Sequence, residues 1–68
     1  MVIYLQSRTA IYDSRNRDIM VEGSSVVADG KSKVVLGCYQ KEERALEVLG
    51  EIFQFIRCKK NSYVMPDK

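Results

Sequence analysis

Residues 36–56 read LGCYQKEERALEVLGEIFQFI, Leu36 to Ile56, and this stretch decides the fold. A β-rich run ends in the Gly37–Cys38–Tyr39 passage and gives way at once to an amphipathic helix. At about 100° per residue, Phe55, Val48, Ile52, Ala45, Ile56, Leu49, Phe53 and Leu46 fill one continuous arc of roughly 180°. Glu43, Glu47, Gly50, Glu51, Gln54 and Arg57 fill the other side. A helix lying on one sheet typically needs an apolar stripe of only about 100°. The excess lies at the two edges of the arc, Phe55 on one and Leu46 with Phe53 on the other. It reads either as generous burial or as an oligomer interface formed by Leu46, Phe53 and Phe55.

The ends of the helix carry matching signals. Glu42 and Glu43 in the first turn and Arg57, Lys59 and Lys60 near the end suit the helix macrodipole. The N-cap is weak, because Gln40 and Lys41 stand where Ser, Thr, Asp or Asn is preferred. Gly50 costs about 1 kcal/mol relative to Ala inside a helix. It is either tolerated or lets another backbone approach closely.

Upstream, the pattern is that of short strands. Met1 to Gln6 alternates, with Ile3 and Leu5 on one face and Val2 and Tyr4 on the other. A polar Ser7–Thr9 turn leads to an extended Ala10–Tyr12, and Asp13 to Asn16 is turn chemistry. Arg17 to Glu22 reads as a strand ended by Gly23–Ser24, and Ser25 to Ala28 as another. Asp29–Gly30 signals a hairpin, and Ser32 to Tyr39 forms the last long strand. The expected fold is α+β, one small domain over residues 1–68. It has an antiparallel sheet of four or five short strands followed by one C-terminal amphipathic helix packed on the sheet. Ile3, Leu5, Ile19, Val21, Val34, Leu36, Leu49, Ile52 and Ile56 are the expected core.

A chain of 68 residues buries only about 60% of its unfolded surface and is marginal without help. With two cysteines and no histidine, one chain cannot build a closed four-ligand zinc site. Cys38 and Cys58 flank the helix, roughly 25–30 Å apart at 1.5 Å per residue, whereas a disulfide needs Cα atoms within about 7 Å. Self-association, as a dimer or a dimer of dimers, is the favoured source of extra stability, with no metal or cofactor. Unpaired thiols and no signal peptide point to a cytoplasmic setting. A net charge of +2 is too mild to argue for nucleic acid. No apolar run approaches the roughly 20 residues of a membrane span.

Enzyme chemistry finds few candidates. Without histidine there is no Ser–His or Cys–His pair, the carboxylates are spread along a solvated helix face, and the glycines are isolated. Cys38 reads as a buried, inert strand cysteine. No catalytic residue is expected. A binding reading has more to work with. Tyr4, Gln6, Arg8, Tyr12, Arg15 and Arg17 interleave aromatic and guanidinium groups around the first hairpins. Tyr4 and Tyr12 could stack on bases while Arg8, Arg15 and Arg17 hold phosphates. The same residues also fit half-buried sheet tyrosines and solvated turn arginines. Arg57, Lys59 and Lys60 with Tyr63 form a weaker second set, equally readable as a basic helix end.

Four motifs carry a resemblance: Val2 to Ser7 with its Gln6–Ser7 step; Leu36–Gly37–Cys38–Tyr39; Glu43–Arg44–Ala45 with Val48–Leu49 and Ile52; and Tyr63–Val64–Met65–Pro66. Together they resemble a widespread group of small proteins encoded by phages and prophages of Gram-positive bacteria. Lys41 departs from the pattern, where relatives often carry a capping Ser or Thr. The resemblance implies a bacterial host cytoplasm and, by analogy with small oligomeric phage proteins, a counter-defence role. The expected function is a non-enzymatic oligomer that sequesters a cyclic nucleotide immune signal between protomers. The alternatives are a protein–protein inhibitor of a host or defence enzyme and, third, a small nucleic-acid-binding regulator.

Overall fold

The chain is described here by a computed structural model covering residues 1–15, 18–30 and 32–68. Its elements run β1 (Val2–Tyr4), β2 (Ile11–Asp13), β3 (Asp18–Glu22), β4 (Ser25–Asp29), β5 (Val34–Cys38), α1 (Glu42–Arg57) and β6 (Ser62–Val64). The α+β class holds. The single sheet does not, because the strands form two three-stranded sheets, ordered β2–β1–β6 and β3–β4–β5. Nor is the helix the last element. After it the chain returns as β6 and pairs in parallel with β1, Ile3 opposite Tyr63. Parallel neighbours need a long crossover, and α1 lies within the one used here.

Local chemistry explains each piece. The β3–β4 hairpin turns through Gly23, whose φ of 62° is the left-handed region that glycine enters without steric cost. Between β4 and β5, Val26 faces Gly37 while Val27 faces Val35, which leaves Leu36 as the extra residue of a β-bulge. The bulge has a use: the Leu36 carbonyl accepts the Gln6 N–H at 3.0 Å, tying the end of β1 to β5 and one sheet to the other.

The helix packs over β3 and β4 and reaches β6. It buries Ala45, Val48 and Ile52 and begins at Lys41 with no side-chain cap. At its other end the Lys59 N–H bonds Ile56 and the Lys60 N–H bonds Phe55, while Lys59 sits at φ 57°. These are the paired bonds of a Schellman stop.

The core gathers Ile3, Val26, Ala28, Leu36, Tyr39, Ala45, Val48, Ile52, Tyr63 and Met65. Leu5, Ile19, Val21 and Val34 pack against it half-buried, and Leu49 is half-buried as well. Ile56 corrects the expected core, being 50% exposed. Although central in the apolar arc, it sits in the last helical turn and lines an open groove beside β3. Among the described residues no helix is long and apolar enough to cross a membrane.

Candidate functional site

Gln6, just beyond β1, joins three polar contacts from its side chain. Its side-chain carbonyl accepts the Cys38 N–H at 2.8 Å, and its amide donates to the carbonyls of Pro66 and Asp67 at 3.1 and 2.9 Å. Arg8 holds the same tail. Its guanidinium donates to the Met65 carbonyl at 2.9 Å and to Asp67 Oδ1 at 3.0 Å. Arg8 takes a left-handed φ of 63° to do so, a conformation costing a non-glycine residue about 1 kcal/mol. Tyr39 Oη donates to the Pro66 carbonyl at 3.0 Å, and Arg44 Nε donates to the main-chain oxygen of Lys68 at 2.9 Å. A Cβ on Gly37 would stand 2.9 Å from Tyr39 Oη and 3.1 Å from Met65 Cε. The Gln-Ser, Leu-Gly-x-Tyr, Glu-Arg-Ala and Tyr-x-Met-Pro motifs therefore converge on one structural clamp.

The tyrosine and arginine set does not converge. Tyr12 pairs with Ile3 while Tyr4 pairs with Ile11, so the two rings lie on opposite faces of one sheet. Tyr12 is half-buried on the core side and Tyr4 is on the outer side. Arg8 and Arg15 follow opposite ends of the β1–β2 pairing. Arg8 lies over the Tyr4 ring at 5.2 Å but is committed to Asp67 and the tail. Arg15 is bound to Asp13 at 2.9 Å. The Asp13 carboxyl is lowered below the ordinary carboxylate range, first by the Arg15 backbone N–H and then by its guanidinium. Arg17 lies outside the described residues.

The weaker set at the helix end is dispersed too. Tyr63 is buried, and its hydroxyl donates to Glu51 Oε1 at 2.6 Å. Burial first, and then that bond, raise its phenol well above the ordinary value. Cys38, expected to be buried, is exposed and accepts the Ser25 hydroxyl at 3.3 Å.

Two apolar surfaces are left open among the described residues. One is the outer face of the first sheet. There Ile11, Tyr4 and Val64 lie side by side across β2, β1 and β6, 69, 38 and 55% exposed, with Val2 beside them. The sequence contained the Val2/Tyr4 half of this face in its alternation. Val64 was hidden in a tail motif and Ile11 in a run too short to orient. The other surface is one helix edge, where Leu46 and Phe53 are 51 and 57% exposed. They border a groove of about 700 Å³ that also includes Ile19, Met20 and Ile56. Phe55, at the opposite edge of the arc, is half-buried and its ring meets Tyr63 edge-to-face at 4.9 Å. A second concavity, about 590 Å³, lies beside the clamp between Tyr39, Arg44, Glu47 and Asp67. Its charges are mixed in sign.

Comparison with protein-family models, with curated proteins and with solved structures finds no match for this chain.

Proposed function

We propose that the protein is a non-enzymatic inhibitor that docks on a protein target through the outer face of the β2–β1–β6 sheet. The observation that carries this reading is the row Ile11–Tyr4–Val64, three exposed apolar side chains in register across three strands. Burying such a row on an apolar protein surface is favourable in proportion to the area removed from water. The rim favours protein over nucleotide. Both described arginines near the face are already matched by carboxylates, Arg8 by Asp67 and Arg15 by Asp13, which leaves little positive charge for phosphate. The resemblance to small phage and prophage proteins supplies the setting, a bacterial host or defence enzyme as the target.

The test compares the protein with its Ile11→Lys/Val64→Lys variant. Host enzymes retained by the immobilised protein are purified and assayed with both forms. Inhibition that weakens at least tenfold in the variant, as expected for the centre of an interface, supports docking through this face. Equal inhibition by both forms overturns it. A thermal-shift panel of cyclic di- and trinucleotides provides the rival outcome. A ligand at 100 times its Kd adds about 2.7 kcal/mol, and such a shift in both forms would replace docking by sequestration.

A further inference from the structure

We infer that the Leu46 edge of α1 is the docking surface for a second copy of this chain, with the two helices antiparallel about a dyad between Leu49 and Gly50. Around the helix, Glu42, Leu46, Leu49, Gly50, Phe53 and Arg57 fall in one stripe roughly 100° wide. Read along the helix the stripe runs acidic, Leu, Leu–Gly, Phe, basic, and its charges and bulk complement its own reversal. With a constant rise per residue, an antiparallel partner sets the partner's Phe53 level with Leu46, and its Leu49 with Gly50. It also sets Glu42 level with the partner's Arg57, twice over because of the dyad. A parallel arrangement would instead stack Glu42 on Glu42 and Arg57 on Arg57. Among the described residues neither Glu42 nor Arg57 forms an ion pair within the protomer. The antiparallel order also opposes the two helix dipoles favourably.

Three features of the protomer fit this occupant. Apart from its chain neighbours and the helix's own backbone, no atom lies within 4 Å of the position a Gly50 Cβ would take, so the helix surface is open where the partner's Leu49 arrives. The groove beside the edge, walled by Ile19 and Met20, has room for an aromatic ring. Leu46, Phe53 and Ile56 are each about half exposed. They offer on the order of 300 Å² of apolar surface per copy, against about 800 Å² per partner in a standard interface. The dimer is accordingly expected to dissociate on dilution.

This inference does not depend on the sheet face or its target. Sedimentation of the whole chain across micromolar concentrations should show a monomer–dimer equilibrium. Phe53→Lys, an exposed position whose folding is checked by circular dichroism, should give monomer throughout. Glu42→Arg or Arg57→Glu alone should weaken the dimer about tenfold at low salt, and the double exchange should restore it to within about twofold. A wild-type chain that is monomeric at every concentration overturns the inference, as does a dimer that survives Phe53→Lys. A dimer that the double exchange fails to restore overturns the antiparallel register. Enzyme inhibition through the sheet face is read separately with Phe53→Lys, so failure of either reading is visible without the other.

Discussion

Phe53 and Phe55 stand two positions apart on the same helix, at opposite edges of its apolar arc, and have different surroundings. Phe55 is half-buried, with its ring edge-on to Tyr63. Phe53 is 57% exposed, with the Arg57 guanidinium over its ring at 5.9 Å. The difference comes from β6. That strand lies beside the Phe55 edge and carries Tyr63 inward, whereas Leu46, Phe53 and Ile56 border an open groove. An apolar helix edge becomes core or surface according to whether the topology supplies a strand to cover it.

The contrast can be broken most directly by truncation. Phe55→Ala should destabilise the monomer by about 2–3 kcal/mol, below the full range for a buried phenylalanine, while Phe53→Ala should change it by under about 0.5 kcal/mol. Urea unfolding at dilute concentration reads both, and equal losses would abolish the distinction. Next in size is Tyr63→Phe, which removes the bond to Glu51 and should cost about 1 kcal/mol. A neutral result would mean that the ring contact alone holds the covered edge. Smaller and opposite in sign, Gly50→Ala should stabilise the monomer by about 0.5–1 kcal/mol, since among the described residues the added methyl meets nothing beyond its chain neighbours and the helix's own backbone.

The last test is silent at neutral pH. Tyr63 has its folded pKa raised by burial and by Glu51. Its contribution is complete below the unfolded phenol value of about 10 and is lost as pH rises beyond it. Part of the phenolate absorbance should therefore appear together with alkaline unfolding followed by circular dichroism, and Tyr63→Phe should lessen that part, leaving the share of Tyr39, which burial also raises.

Much of this comparison was legible in the sequence. The period of the helix gave its span and the excess width of its arc, and Ile3 inward with Val2 and Tyr4 outward followed from alternation. Which edge would be covered was not legible. Ser62–Val64 is three residues long and pairs with β1 from the far end of the chain, and no local pattern encodes such a pairing. Without β6, Tyr63 and Met65 read as a tail, so two of the most buried side chains were missed. The two tyrosines of the expected binding set lie apart for a related reason. Tyr4 and Tyr12 are alike in composition, and only the register of β1 against β2 separates their faces. The bulge at Leu36 was invisible for the same cause, since it is defined by what lies opposite.

The pairing of Val2 with Ser62 also bears on how the molecule assembles in time. The β3–β4–β5 meander joins neighbours in sequence and can close early, because local loops lose little entropy. The β2–β1–β6 sheet must wait for its third strand, and a two-stranded hairpin is marginal by itself. During synthesis the Ile11–Tyr4 face is thus incomplete until residues 62–64 have emerged. Substitutions in β6 should then speed unfolding more than they slow folding.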